Sequence, residues 1–578
     1  MKLIKVQLSS VALFCLLFSA SCSTWQGQKT GETVVAGDVA ERVDAYLAGI
    51  TSFGFSGAAL VARGDEILLN KGYSLAVAAD SIPNTAQTVF SVGSITKQFT
   101  AAAIMKLEMT GKLAVSDRIT KYFDNVPPDK QVITLHHLLT HTAGLPGSLG
   151  RDFEVVGRDE MMRRILNAPL EFPPGRQFGY SNCGYSMLAA VVEIASAQPY
   201  EQFLAENLFE PAGMHFTGYR RPDWSRRTVA RWYTGEADNG TPLEKDYPYW
   251  NYIGNGGILS TTGDMFRWHR ALLGEEILSA AAKQKLYTPF LNDYAYGWDV
   301  LETERGVLIQ HDGGSSLGCA ADFKRFIDSG IVIMLFSNYS GPDILMEKGV
   351  RDRVTDLVFG VSIELPLDVS DDPIDASAYA GSYLLDEDAA FNVTNVSNAL
   401  VVTPFGAGAV AALYFPDTSQ LAQIDSNQAR SEGVLSAAAK GDFEPFRALI
   451  NDDGRLERIR QLWNMRVERY AEMTGPLTGA VARYSLPSGF QKGAVETLVE
   501  ITGERSGFFY RMIWKDGRMI GIAPTMPPSL GGLVFRHSGE GRFFTYNISA
   551  ARNIRLTFDS KDMVILGGNS SLRVPKIQ

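Results

Sequence analysis

Cysteine is scarce, with four residues in 578 (Cys15, Cys22, Cys183 and Cys319), which excludes a scaffold built on disulfides. Positive charge is in deficit: 54 Lys and Arg face 64 Asp and Glu, a formal net charge of −10. With no long basic block anywhere, a nucleic-acid partner is not expected. Long apolar runs are missing as well. The one near the start, Val11 to Phe18, is too short to cross a bilayer comfortably. There is no repeat and no low-complexity tract. What remains is the composition of a folded globular protein, 45% hydrophobic and 20% charged, and at about 150 residues per domain the length argues for three to four domains.

The N-terminus reads as an export signal over 1–21. Lys2 and Lys5 precede the apolar run, and Ser19-Ala20-Ser21 leads into Cys22. Small residues directly before a cysteine resemble the lipobox of bacterial lipoproteins, in which that cysteine is acylated. Ser19 stands where the box usually has Leu, so plain cleavage near Ala20 or Cys22 is the competing reading. The expectation is an exported, periplasmic protein held at the membrane by lipid on Cys22. Residues 22–37 are small and polar and read as a tether.

A helix is announced by Asp38, with apolar residues at Val39, Val43, Tyr46, Leu47 and Ile50. A hairpin of Phe55–Val61 and Ile67–Tyr73, turning at Arg63-Gly64-Asp65, follows. Three more strands are expected at Gly306–Gln310, Cys319–Phe326 and Ile331–Phe336, after a long helical excursion. That order predicts an α+β domain over 38–362: an antiparallel sheet closed by both chain ends, flanked by helices, with a large helical insertion. An acidic, proline-punctuated linker (363–373) leads to a β-rich accessory module (374–578), read as β-barrel-like and interrupted by an α+β insert at about 425–523.

Three short motifs carry chemistry. Ser94-Ile-Thr-Lys97 opens a helix, so the hydroxyl and ammonium share a face one turn apart, and the Ser94 N–H lies among the unpaired donors of the helix start. Lys97 either takes the hydroxyl proton or lowers the pKa of another base. Tyr180-Ser-Asn182 follows Pro173-Pro-Gly-Arg176, a stiff loop suited to aiming polar groups into a cleft. Tyr180 is a second candidate base, provided a cation stabilises its phenolate. His311-Asp-Gly313-Gly314 ends one expected strand and opens the turn toward the next, where a Gly314 N–H can complete an oxyanion hole with that of Ser94. A second H-x-G, at His537, reads as a hairpin tip and a decoy.

Taken together and in this order, the three motifs resemble the serine β-lactamase and penicillin-binding-protein superfamily, and in particular its class C-like branch of D-aminopeptidases, DD-peptidases and esterases. Leu138-Leu-Thr-His-Thr-Ala-Gly-Leu-Pro146, Gly256–Ser260, Tyr296-Gly-Trp298 and Phe336-Ser-Asn338 are similar to that branch too. The resemblance implies a β-lactamase/transpeptidase-like fold over roughly 38–362, and the β-barrel-like module after it, which the resemblance does not cover, is read from its own strands as lipocalin-like. It implies Ser94 as acylated nucleophile, Lys97 and Tyr180 as the proton-handling pair, Asn182, His311 and Gly313 at the substrate, and Ser94 with Gly314 at the oxyanion. It does not decide which of Lys97 and Tyr180 is the base.

True class C β-lactamases have Lys-Thr-Gly where this chain has His311-Asp-Gly313. An imidazole with an ordinary pKa near 6.5 is mostly neutral at pH 7, so a β-lactam carboxylate loses its cation and a peptidase or esterase becomes the expectation. Asp312 beside it is a candidate contact for a cationic amine. His137 and His141 have metal-compatible spacing but no further ligand cluster, so no metal and no cofactor are expected. Cys183 and Cys319 read as buried free thiols, with a disulfide as the alternative. The aromatic strands around Phe508 and Phe543 read as core. The expected partner is a peptide or small-molecule substrate, and the sequence leaves the oligomeric state open.

Overall fold

The computed structural model describes residues 31–577, apart from 151–152, 236, 246, 316, 341–348, 371, 397, 417, 451, 489–492, 526–531, 549, 560–561 and 568–569. The export signal and Cys22 therefore lie outside the described residues.

One seven-stranded antiparallel sheet organises the first part of the chain. Its order is Val34–Val35, Glu66–Tyr73, Gly57–Arg63, Ile331–Ser337, Cys319–Phe326, Gly306–Ser315 and Asp299–Thr303. The central strands Gly57–Arg63 and Ile331–Ser337 are covered on both faces, so they read as continuous apolar runs rather than as alternation. One face packs on the helices Gly37–Gly49 and Arg351–Val358. The other carries the helical excursion, centred on Thr96–Met109, which is buried along almost its whole length: Phe99 meets Phe209 and Trp268 at 5.1 Å each. Three details depart from the sequence reading. Val34 and Val35, inside the expected tether, pair with Asn70 and Leu69 as an edge strand. Asp299–Thr303 adds the opposite edge. The strand through His311 does not end there but continues to Ser315 against Cys319, so the H-x-G lies in a strand and not in a turn.

The remainder begins with an eight-stranded antiparallel sheet, Gly381–Leu384 through Ser570–Pro575, nearly closed into a barrel by a bridge between Tyr383 and Lys576. Its inward residues, among them Phe391, Leu400, Val402, Phe535, Phe543 and Ile554, fill the interior. Between the third and fourth of these strands the chain makes the helices Ala407–Tyr414, Thr418–Ala439, Glu444–Ile450 and Asp453–Thr474 and a four-stranded sheet, Leu477–Pro487 to Arg518–Thr525. The interruption thus starts earlier than the expected residue 425, because the apolar Ala407–Tyr414 and the polar stretch from Thr418 are already helical. Its aromatics pack as core: Trp463 stacks on Tyr510 at 5.3 Å, and Trp514 is fully buried. Barrel and hydrolase sheet share one apolar cluster. Tyr546 and Ile548 pack with Val43, Tyr46, Leu47 and Val354, Phe544 meets Phe53 edge-on at 5.5 Å, and Arg536 Nε donates to the Ser52 carbonyl at 2.9 Å.

Candidate active site

Gly93 has φ +52 and ends the approach to a 3-10 turn, Gly93–Ile95, from which Thr96–Met109 continues as α-helix. Ser94 is thereby set, half-buried, at the start of a rigid buried helix. Lys97, one turn on, is fully enclosed. Its Nζ lies 3.1 Å from Ser94 Oγ, 2.8 Å from Asn182 Oδ1 and 2.6 Å from the Asn255 carbonyl, and 4.7 Å from the centre of the Tyr180 ring. Burial pushes the Lys97 ammonium well below the usual lysine range, against a weaker opposing pull from Asp312. Tyr180 hydrogen-bonds Ser94. Burial drives its phenol above the ordinary tyrosine range, the Ser94 contact opposes this, and Asp312 and Asp299 add to it.

The loop bearing Tyr180 and Asn182 is stitched to the segment His141–Gly147 by main-chain bonds. Glu171 N–H donates to Gly144 at 2.8 Å, Gly175 to Thr142 at 2.7 Å, Gly179 to His141 at 2.8 Å and Asn182 to Gly147 at 2.8 Å. Ser181 Oγ donates to the Pro146 carbonyl at 2.7 Å and accepts from Gly184 N–H, capping the helix Asn182–Ser196. A Cβ on Gly144 would stand 2.0 Å from the Phe172 carbonyl, which is why that position is glycine. The small, proline-bounded residues of Leu138–Pro146 and of the loop are thus one structure, two segments laid against each other.

The strand Gly306–Ser315 closes the site. A Cβ on Gly313 would lie 2.5 Å from Ser94 N and one on Gly93 would lie 2.6 Å from Gly314 N, so the backbones carrying both oxyanion candidates are in direct contact. His311 is buried, with Nε2 3.1 Å from Tyr294 OH and Nδ1 2.5 Å from the Asp312 carbonyl. Burial brings its pKa down to about 4, Asp312 opposing and Lys97 assisting. Asp312 does not face the nucleophile as a free carboxylate. Its Oδ2 is 3.0 Å from Arg351 Nη1, so the charge offered above to a cationic amine is already paired.

The structure brings together Ser94, Lys97, Tyr180, Asn182, His311, Gly313 and Gly314. It separates His537, which ends a barrel strand. His137 and His141 do not share a helix face: the helix is Leu135–Leu139, His137 Nδ1 accepts from Thr134 N–H at 3.2 Å, and His141 lies beyond its end. Cys183 and Cys319 are buried and are not joined by a disulfide. Asn255, Tyr185 and Tyr294 belong to the site but were not singled out, each coming from a loop or helix position with no local motif. Asp299, whose carboxyl is pushed up to about 6 by burial and then by Asp312 and Asp293, likewise carries no local motif.

A family model described as Beta-lactamase matches residues 40–398. The chain belongs to the Beta-lactamase family. It is 29% identical to penicillin-binding protein 4* of Bacillus subtilis (strain 168), over 70% of this chain and 95% of that one. It is 33% identical to a putative penicillin-binding protein, PbpX, of the same organism, over 54% of this chain and 77% of that one. Among solved structures, the octameric penicillin-binding protein homologue from Pyrococcus abyssi aligns over 92% of this chain and 99% of its own, with a TM-score of 0.52 at 17% identity. That likeness extends the shared fold past the hydrolase sheet into the barrel. The protein is thus a serine hydrolase of the Beta-lactamase family.

Proposed function

We propose that the protein is an exported hydrolase that cleaves an amide or ester bond, in a D-amino-acid peptide, a peptidoglycan-type peptide or a small ester, through an acyl-Ser94 intermediate. The observation that carries this reading is the set of contacts around Lys97 Nζ. A neutral amine has two N–H donors and one lone pair. With burial holding Lys97 neutral, Asn182 Oδ1 and the Asn255 carbonyl accept its two donors, at 2.8 and 2.6 Å, and the lone pair is left to accept from the Ser94 hydroxyl at 3.1 Å, the direction opposite to that of an ammonium. Lys97 is then the base of acylation. It takes the Ser94 proton as Oγ bonds to the substrate carbonyl carbon, and the oxyanion meets the Ser94 and Gly314 N–H groups. The C–N or C–O bond breaks, and the leaving group takes a proton from Tyr180, which stays a phenol, re-protonated from Lys97. Water releases the acyl group by the same path in reverse.

Neutral His311 in place of a lysine, with Asp312 paired to Arg351, supports an ester or peptide over a β-lactam. The test uses mature protein with a tagged fluorophosphonate and a tagged β-lactam, with Ser94→Ala as control. Label by the fluorophosphonate on wild type alone, with ester turnover, is expected. Absence of label with both probes would sink the reading, and lasting β-lactam label without product would instead identify a penicillin-binding sensor. Export rests on Lys2, Lys5 and the run into Cys22. Labelled fatty acid incorporated by wild type and not by Cys22→Ala is the expected result for a lipoprotein.

A further inference from the structure

We propose that His141 is a positioning residue of this site: its imidazole, as the Nε2–H tautomer, fixes the Tyr180–Asn182 segment over Lys97. The inference rests on the acyl-Ser94 reading and adds a residue that touches neither substrate nor nucleophile.

His141 has φ +55, a conformation that a non-glycine residue adopts at a cost of about 1 kcal/mol or more. The strain places both its polar ends on one stretch of chain. Its carbonyl accepts from Gly179 N–H at 2.8 Å, and its Nδ1 accepts from Ser181 N–H at 3.0 Å. Tyr180 is held between those two bonds, with its ring centre 4.3 Å from that of His141. An Nδ1 that accepts carries no proton, so the ring proton is on Nε2.

From there the order passes to the base. Ser181 caps the helix that opens with Asn182, and Asn182 Oδ1 holds Lys97. Tyr185, Tyr294 and Phe178 complete an aromatic enclosure at 5.0, 4.7 and 5.8 Å. Nε2 is buried and has no hydrogen-bond partner among the described residues. The ring's one hydrogen bond toward the site among the described residues is therefore the one Nδ1 accepts from Ser181 N–H, and its other contacts there are the stacked aromatic rings.

The titratable groups facing it are Lys97, His311, Tyr180, Tyr185 and Tyr294. Burial, with Lys97 and then His311, holds His141 well below the ordinary histidine range. Protonation would put a donor at Nδ1 opposite the Ser181 N–H and release the loop.

The test compares full-length wild type, His141→Phe and His141→Asn in fluorophosphonate labelling and in turnover of a chromogenic ester. Phenylalanine keeps a ring for the stack and removes the acceptor; asparagine returns an acceptor on a residue that tolerates positive φ. Loss of about 100-fold in kcat at little-changed KM is expected for His141→Phe, with recovery of at least about tenfold of that in His141→Asn. A His141→Phe enzyme within about threefold of wild type, or a His141→Asn enzyme as slow as His141→Phe, would overturn the proposal, by the same arithmetic of misplacement.

Should a variant fail to fold, 15N-histidine spectra of the wild type decide the matter. The His141 ring, told apart from His137 and His269, whose Nδ1 also accepts, by its contact with the Tyr180 ring, is expected with an unprotonated Nδ1 unchanged between pH 7 and 5, and an Nδ1–H tautomer at His141 refutes the claim. Failure of the wild type to label at Ser94 would defeat the hydrolase reading instead, and leaves the tautomer result separately readable.

Discussion

His311 shows how much a single buried side chain sets here. In the unfolded chain it titrates near 6.5 and in the native site near 4. Between those values the unfolded state binds a proton that the native state does not, so stability is fully present above about pH 6.5 and falls as the solution is acidified toward pH 4. Urea unfolding of wild type and His311→Gln at pH 7, 5.5 and 4 is expected to show a smaller loss in the variant. Equal losses would mean that the imidazole is not held neutral. Residues of this kind were readable where partners are close in sequence: Ser94 and Lys97 lie one helical turn apart, and Tyr180 and Asn182 sit on one loop. Asn255 and Tyr294 were not, because Asn255 meets Lys97 across 158 residues and Tyr294 contacts His311 from outside any motif.

At the level of elements, the oxyanion region is a strand edge pressed on a 3-10 turn, and glycine is what lets them meet. A methyl at Gly313 would lie 2.4 Å from the Val92 carbonyl and 2.5 Å from Ser94 N, main-chain atoms that cannot rotate aside. Gly313→Ala is therefore expected to part strand and turn, displacing one donor, with a loss of about 100- to 1,000-fold in kcat. The eight-residue ladder to Cys319–Phe326 keeps the strand in the sheet, so the thermal midpoint should move far less than activity. A normal kcat in a folded variant would remove Gly313 from the site. The long strands and the buried helix were legible because their apolar runs are long. The two-residue strand Val34–Val35 and the continuation past His311 were not: one is too short to show a period, and the other is polar and glycine-rich because it lines a cleft.

Over the whole molecule, the accessory region reaches back to the catalytic loop. Arg458, on the insert helix Asp453–Thr474, pairs with Glu171, which lies on the segment stitched to His141–Gly147. Leu462 and Met465 follow Arg458 by four and seven residues on the same helix face and stay 54% and 58% exposed. The opposite face, with Leu456, Trp463 and Tyr470, packs into the insert's own core. An apolar, uncovered helix face tied by this charge pair to the segment that carries Glu171 is expected to meet a bulky substrate before a small one. The anchor is weak, since a surface ion pair contributes about 0.2–1 kcal/mol, or up to about fivefold in an equilibrium. Arg458→Glu is accordingly expected to raise kcat/KM for a peptidoglycan-type peptide by about two- to fivefold while a small ester is hydrolysed as before. The charge-swapped pair Glu171→Arg with Arg458→Glu should return the peptide rate toward wild type, and added salt should shrink every difference. If the double variant behaves as the sum of the two single ones, the pair does not couple insert to loop, and the bulk of a substrate is then judged within the hydrolase domain alone.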